Sequence, residues 1–255
     1  LDVDWPTLNV HLLSVTDDWA GIAIAGPNSR TVLTKLTSAD LSDSAVPFMG
    51  YAEIDIDGVP VRLFRISFSG ELAYEINMAP NATRTVWDAL LKAGADQEII
   101  PYGLEAMNVL RIEKGHVVGG ELNGRTTAGG LGFGEMVSTK KAFVGQIPAR
   151  REGLTRADGR QLVGLVPADK KTRIPRGAQL ITDPTAAKPV AMHGEVTSQC
   201  MSPNLGHPIA LALLNGGRAR LGESLKAHSP ITGETVTVTV TNPIFIDPQG
   251  ERLRG

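Results

Sequence analysis

Alternating and apolar segments in the first eighty residues of the chain predict strands. WAGIAIA (19–25) is an apolar run with the length of a buried strand. YAEIDIDG (51–58) and VPVRLFRISFSG (59–70) alternate between apolar and polar positions, and the Asp-Gly pair that joins them predicts a hairpin. ELAYEINM (71–78) continues the alternation and is predicted as the next strand.

Two later segments carry apolar residues at helical spacing. NATRTVWDALLKA (81–93) has its larger apolar residues on one face, with Asn81 near the N-cap and Gly94 at the end. GLEAMNVLRIEK (103–114) predicts a second helix that stops at Gly115. The first part of the chain therefore mixes strands and helices in an α+β arrangement.

The second part of the chain changes character. GHVVGGELNGRTTAGGLGFG (115–134) is rich in glycine and predicts irregular loop, and a linker is placed near 150–160. Short strand-like runs follow, separated by Pro, Gly, Asn and Asp: QLVGLVP, AQLITD, GEVTSQ, HPIALALL, ESLKAH and ETVTVTVTNPIF. Such runs suggest a small antiparallel barrel or sandwich. We predict an α+β domain over residues 1–155 and a small antiparallel β-barrel domain over 156–255.

Composition narrows the classes of function. The chain has 255 residues, a formal net charge of −2 and a hydrophobic fraction of 42%, enough for one large or two smaller domains. The balanced charge gives no sign of a nucleic-acid partner or a membrane-surface partner, and no apolar run has the length of a transmembrane helix. The single cysteine, Cys200, excludes a disulfide framework, and we expect a reducing, cytoplasmic setting. The chain starts without an initiator Met, so its completeness is left open.

Several familiar site patterns do not occur in the sequence. The glycine run at 129–134 fits neither G-x-G-x-x-G nor G-x-x-x-x-G-K-[ST], so no phosphate cradle is predicted. The five histidines are scattered without ligand spacing, and no metal site is expected. Ser67 and Ser69 lie in no nucleophile elbow. No catalytic residue is assigned.

The segment GELAYE offers better candidate chemistry. A carboxylate at Glu71 could accept two N–H donors from a flat heterocycle such as the edge of a pterin, and Gly70 would let the ring approach the backbone. Phe68 could supply a stacking or packing face. The alternative is that Glu71 sits in a hairpin turn facing water. Physical reasoning leaves both open.

Arg111 in VLRIEKG has a similar pair of interpretations. It could clamp a ligand carboxylate in bidentate fashion. It could instead favour the helix C-terminus and pair with a neighbouring residue.

Several segments, taken in order along nearly the whole chain, carry a family resemblance. They are AGPNSRTVLTKL, PFMGY, RISFSGELAYEI, GLEAMNVLRIEKGH and KKAFVGQ, and together they are similar to the glycine-cleavage T-protein (aminomethyltransferase) family. Within it, SPNLGHPIALALL, RARLGESL and the ending NPIFIDPQGERLRG resemble the C-terminal part of the α subunit of heterotetrameric sarcosine oxidase.

The resemblance implies a T-protein-like fold that binds tetrahydrofolate and handles a one-carbon unit. In the sarcosine oxidase subfamily, a flavin on a partner subunit oxidises an N-methyl amine. The folate domain captures the resulting fragment as 5,10-methylenetetrahydrofolate. Flavin (FAD or FMN) and NAD are therefore expected only in the wider complex. The partners implied for this chain are a flavin-bearing subunit and small-molecule folate.

The resemblance also assigns site residues. Glu71 occupies the position of the glutamate that contacts the pterin ring, and Arg111 that of an arginine at the folate tail. Phe68 stands where many relatives carry tyrosine, so the ring face is kept and a hydroxyl contact is lost.

The chain departs from the family at several places. The family's first third has no counterpart, so the N-terminal part of the fold is expected to be missing. Ala128-Gly129-Gly130 replaces Pro-Asp-Asp, and Glu135 stands where an aromatic residue is usual. Ala142 replaces the cysteine of related iron–sulfur assembly proteins, which argues against that role. Two alternatives stay open: a divergent T-protein-fold scaffold or binding module, and a free-standing aminomethyltransferase acting on a lipoyl carrier.

Overall fold

The computed structural model describes residues 3–255, which form two compact units. The sheet unit comprises the described residues up to Ser67 together with Glu71–Pro101 and Glu251–Gly255. The barrel unit comprises Phe68–Gly70 and Tyr102–Gly250. The domain boundary expected at residue 155 stays a prediction.

The sheet unit is built on four antiparallel strands in the order β1-β4-β3-β2. The strands are β1 (Ala20–Ala25), β2 (Tyr51–Ile56), β3 (Val59–Phe64) and β4 (Ala73–Met78). The helices of this unit are α1 (Ser29–Leu33), α2 (Thr83–Ala93) and, near the end of the chain, α7 (Glu251–Arg254). Three 3₁₀ turns span Thr16–Asp18, Pro80–Ala82 and Ala95–Gln97.

The predicted hairpin joins β2 to β3. Ile56 pairs with Val59, and between them Asp57 and Gly58 both have positive φ, at 49° and 78°. Two consecutive positive φ values make a tight hairpin turn whose twist suits the flanking strands, which explains the Asp-Gly pair.

The core of the sheet unit lies on one face of these strands. Leu63 of β3 and Ile76 of β4 are opposite each other in the register and fully buried. Val86 and Leu90 of α2 belong to the same cluster. Alternation along the strands and helical spacing along α2 thus converge on one apolar core. The N-cap of α2 is Ala82, one residue after the predicted Asn81, because a 3₁₀ turn precedes the helix.

The barrel unit contains a closed barrel of six strands in the order β10-β5-β8-β7-β6-β9. The strands are β5 (Arg160–Pro167), β6 (Gln179–Ile181), β7 (Gly194–Ser202), β8 (His207–Asn215), β9 (Ser224–His228) and β10 (Thr235–Thr241). The helices are α3 (Leu104–Lys114), α4 (Ala128–Leu131), α5 (Gln146–Ala149) and α6 (Glu152–Thr155), with 3₁₀ turns at Gly134–Met136 and Gly217–Arg220. The α+β class and the antiparallel barrel are confirmed, and each of the six predicted runs contains a strand.

The glycine-rich segment predicted as irregular contains one short helix, α4. Thr127 caps it, because its Oγ1 accepts a hydrogen bond from the Gly130 N–H at 3.0 Å. This side-chain bond satisfies a backbone N–H of the first turn, which the glycines of the segment cannot do because they have no side chain.

Helix α3 ends where the sequence predicts. Gly115 adopts φ +76°, and a Cβ there would lie 2.6 Å from the Pro243 carbonyl oxygen. Only glycine meets both requirements.

Among the helices of residues 3–255, none combines the length and the apolar composition needed to cross a lipid bilayer.

Candidate functional site

Glu71 lies in the sheet unit, two residues before strand β4. The Ser67 hydroxyl donates to the Glu71 carbonyl oxygen at 2.6 Å and closes the turn that precedes the strand. The Glu71 side chain is 27% exposed, and its Oε1 lies 2.9 Å from Nη1 of Arg252. The carboxylate is therefore partly buried and paired with an opposite charge.

Arg252 is carried by helix α7, which Arg65 anchors. The Arg65 side chain is buried and donates to the backbone carbonyls of Arg254 and Val46 and to the carboxylate of Asp43. A buried guanidinium needs such partners because its desolvation is costly. The hydrogen bond to the Arg254 carbonyl holds α7 against Arg65, which directly follows β3, and so brings Arg252 to Glu71.

Phe68 lies in the barrel unit, against His116. The two ring centroids are 5.8 Å apart and the planes are inclined by 31°. The Phe68 carbonyl oxygen accepts a hydrogen bond from Nδ1 of His116 at 2.9 Å. The Phe68 side chain remains 36% exposed, so one ring face can meet a ligand.

Gly70 is explained by a contact within the protein. Its φ is +88°, and a Cβ there would lie 2.9 Å from Cγ and Cδ of Lys114. The stem of Lys114 crosses this position, and its ammonium donates to a carboxylate oxygen of Asp247 at 2.9 Å. The absence of a side chain at Gly70 thus leaves space for the stem of Lys114. The sequence analysis had assigned the glycine to close approach by a ligand ring.

Arg111 is buried at the C-terminal end of α3 and faces protein partners. Its guanidinium donates to Asn108 Oδ1, to the Ser198 hydroxyl and to the His116 carbonyl. It also forms an ion pair with Glu121 at 3.6 Å, with the two side chains 5% and 0% exposed. Burial lowers the pKa of Arg111, and the charge of Glu121 opposes that shift. A contact to a folate tail stays a prediction for this residue.

Two buried carboxylates near Arg111 were missed by sequence reasoning. Glu121 accepts from the Ser198 hydroxyl at 2.7 Å, and Glu113 accepts from the hydroxyl of Ser202 and the amide of Asn204. Ser198 and Ser202 are four residues apart on β7 and so share a face. The two serines of SQCMS were the available sequence signal for a buried polar cluster. They did not identify the carboxylates, because Glu113 and Glu121 lie in a distant part of the chain.

The barrel unit also has an open apolar pocket of about 540 Å³. It is lined by residues from one stretch of the chain: Ala128, Phe133, Met136, Val137, Ser138, Lys141 and Phe143. Among the residues that the structure describes, no group of three or more His, Cys, Asp or Glu could hold a metal ion.

Two family models together match most of the chain. The GCVT N-terminal domain matches residues 2–141, and the glycine cleavage T-protein C-terminal barrel domain matches residues 160–247. The chain belongs to the glycine cleavage T-protein family. This relationship supports a T-protein-type module of folate-dependent one-carbon metabolism.

Individual relatives of this T-protein-family chain include sarcosine oxidase subunits and aminomethyltransferases. Sarcosine oxidase subunit alpha from Rhizobium meliloti is 47% identical over 252 residues, which make up 98% of this chain and 26% of that protein. The same subunit from Corynebacterium sp. strain P-1 is 41% identical over 260 residues, covering 100% of this chain and 27% of that protein. Aminomethyltransferase from Halothermothrix orenii is 33% identical over 247 residues, covering 92% of this chain and 66% of that protein. The chain thus spans about a quarter of the length of the sarcosine oxidase subunits that it matches.

A solved structure confirms the T-protein fold. The glycine cleavage system aminomethyltransferase T from Bartonella henselae matches with a TM-score of 0.71 at 23% identity, covering 90% of this chain and 60% of that one. At this identity the match is informative about fold alone.

Proposed function

We propose that this chain is the folate-binding, one-carbon-handling part of a sarcosine-oxidase-like α subunit. In this function it captures the one-carbon unit released by oxidative demethylation of an N-methyl amine, as 5,10-methylenetetrahydrofolate. The observation that carries the proposal is the 47% identity to a sarcosine oxidase α subunit across 98% of the chain. The flavin (FAD or FMN) and NAD belong to the wider complex, which includes a flavin-bearing partner subunit in the cytoplasm.

The chemistry of Glu71 fits a pterin. An ionised carboxylate only accepts hydrogen bonds, and its two oxygens offer about four acceptor positions. The carboxylate of Glu71, which accepts from Arg252, has the acceptor chemistry that the N–H groups of the heterocycle edge require. Its partial burial strengthens such bonds, because water competes less there.

Phe68 and Arg111 fit the ligand to different degrees. The half-exposed ring of Phe68 can cover an aromatic face and exclude water from it. The guanidinium of Arg111 is buried among protein acceptors, so a folate carboxylate would reach it only after Glu121 or Ser198 moved. We propose Glu71 and Phe68 as ligand contacts, and keep the tail contact of Arg111 as the weaker part of the proposal.

Bound tetrahydrofolate would supply the amine nitrogens that take up the one-carbon unit. The residues of this chain bind and orient it. Glu71 fixes the pterin edge by accepting its N–H groups, and Phe68 shields the ring. No residue of this chain is assigned the proton transfer.

Calorimetric titration with reduced folate tests the proposal, first with the chain alone and then with the chain mixed with a flavin-bearing partner subunit. Saturable binding in either titration supports it, and binding by the chain alone would place most of the pocket within residues 49–135. No binding in both titrations overturns the proposal. The scaffold alternative, which the Ala128-Gly129-Gly130 substitution favours, would then stand.

The free-standing aminomethyltransferase alternative is tested by the same chain. A transferase would form methylenetetrahydrofolate from an aminomethyl-lipoyl carrier without any flavin subunit. Turnover under those conditions would favour the alternative, whose support is the 33% identity to an aminomethyltransferase.

A further inference from the structure

His116 takes part in three hydrogen bonds within the barrel unit, although no role was predicted for it. Its backbone N–H donates to the Arg111 carbonyl at 2.8 Å, directly after the end of helix α3. Its own carbonyl accepts from the Arg111 guanidinium at 3.2 Å. Its ring then bonds to the Phe68 carbonyl through Nδ1 at 2.9 Å.

The bond to Phe68 defines the state of the imidazole. A carbonyl oxygen can only accept, so Nδ1 carries the proton and donates. Burial lowers the pKa of His116, and the positive charge of Lys114 lowers it further, while the bond to the Phe68 carbonyl raises it. The ring is thus held in the neutral tautomer with Nδ1 protonated at neutral pH.

Phe68 in turn depends on His116 for its placement. It lies in a segment of three residues, Phe68–Gly70, that belongs to the barrel unit by its contacts while the residues on both sides belong to the sheet unit. The ring contact with His116 and the hydrogen bond to its carbonyl hold the first of these residues, and the stem of Lys114 packs at Gly70.

We infer that His116 is a positioning residue for Phe68: it fixes the backbone and the ring orientation of the aromatic side chain that is to cover the ligand. This inference rests on the proposed folate-binding function. His116 acts through Phe68, and the imidazole itself is assigned no contact to the ligand.

Two substitutions at His116 distinguish the effect of its hydrogen bond to the Phe68 carbonyl from the effect of its ring contact with Phe68. His116→Asn places an amide N–H at the same distance from the backbone as Nδ1 and can still donate to the Phe68 carbonyl. His116→Phe keeps an aromatic ring and loses the donor. His207→Asn is the matched control, since Nδ1 of His207 also bonds to a backbone carbonyl, that of Pro208, at 2.9 Å.

The first measurement is calorimetric affinity for reduced folate. We expect His116→Phe to weaken binding by about 2- to 12-fold, the range for loss of one neutral hydrogen bond. We expect His116→Asn and His207→Asn to stay within about 2-fold of the parent. Equal melting temperatures of the two His116 variants would show that the difference arises in binding and not in folding.

The second measurement needs no folate. The chain contains six phenylalanines, and labelling with 4-fluorophenylalanine gives each a fluorine NMR signal; the Phe68 signal is the one that Phe68→Leu removes. It should move with pH at a midpoint below the ordinary histidine pKa, and this movement should vanish in His116→Asn. The other charged groups nearby are Lys114 with its partner Asp247, and Arg111 with its partner Glu121.

The two measurements separate the inference from the function on which it rests. A Phe68 signal that ignores both the pH and the His116 substitutions overturns the positioning role. So does equal folate affinity in His116→Phe and His116→Asn. Absence of folate binding by the parent chain, alone and with a flavin-bearing subunit, overturns the proposed function instead.

Discussion

Glu71 and Arg252 form an ion pair with 2.9 Å between Oε1 and Nη1, although 181 positions separate them in the chain. Their side chains are 27% and 55% exposed, so the pair contributes only about 0.2–1 kcal/mol to stability. Its stronger effect is geometric, because it orients the carboxylate that we propose as the pterin acceptor.

Replacing Glu71 by glutamine should weaken folate binding. One carboxylate oxygen becomes an NH₂ donor that faces a ligand donor, which costs about 1–3 kcal/mol, or about 5- to 150-fold in affinity. Calorimetric titration of Glu71→Gln with reduced folate measures the change. Glu75→Gln, four residues further along and in β4, is the matched control and should bind like the parent. Unchanged affinity in Glu71→Gln would remove Glu71 from the site.

Gly70 and Gly58 provide a matched pair for a stability prediction. Both have positive φ, +88° and +78°, so alanine at either position costs about 1–2 kcal/mol of backbone strain. At Gly70 the new Cβ would also overlap the stem of Lys114, while at Gly58 nothing lies within 4 Å.

We therefore expect Gly70→Ala to lower the free energy of unfolding more than Gly58→Ala, by an additional amount of about 1 kcal/mol or more. Urea denaturation of both variants measures the difference. Equal losses would mean that Lys114 moves aside freely, and that the glycine at position 70 serves only its backbone conformation.

Most of the fold could be predicted from local signals in the sequence. The period of two in YAEIDIDG and VPVRLF, and the Asp-Gly pair between them, are properties of adjacent residues. The same holds for the end of α3 at Gly115. Closure of six strands into a barrel is different, since it depends on pairings such as β10 with β5 that no single segment encodes.

The sequence marks candidate site residues but not the residues that orient them. Glu71 and Phe68 were proposed from the chemistry of the segment around GELAYE and from the family resemblance, whereas their partners were not predicted. Arg252 and His116 lie 181 and 48 positions away from the groups that they bind. Contacts over such separations follow from the packing of the chain, and a sequence without aligned relatives does not reveal them.

The ion pair of Arg111 and Glu121 should be costly to break from one side. Arg111→Leu leaves the fully buried Glu121 carboxylate without its cation, and we expect a loss of about 3–5 kcal/mol in the free energy of unfolding. The double variant Arg111→Leu with Glu121→Leu removes both charges and should recover part of that loss.

Urea denaturation of the two single variants and the double variant gives the coupling energy. Arg84→Leu is the control, because Arg84 pairs with Asp88 on the exposed surface of α2 and its loss should leave the free energy of unfolding nearly unchanged. A double variant that is less stable than Arg111→Leu would contradict the assignment of Arg111 as the main partner of Glu121.

Cys200 should resist thiol reagents in the folded protein. Burial, with a further contribution from the charge of Glu113, raises its pKa from the usual 9.0 to about 12. The thiolate is the reactive form, so at pH 8 only about one thiol in ten thousand is reactive. A disulfide reagent such as Ellman's compound should therefore label the chain only after denaturation, with one thiol per chain.

The exposed variant Ser38→Cys serves as control, since its added thiol should react while the protein is folded.

The raised pKa of Cys200 also determines how the stability of the folded protein changes with pH. A thiol kept neutral by folding contributes its full stabilisation below about pH 9, and this contribution falls as the pH rises towards 12. Cys200→Ala should reduce that decline. Rapid labelling of the folded parent at pH 8 would contradict the raised pKa and the burial of Cys200.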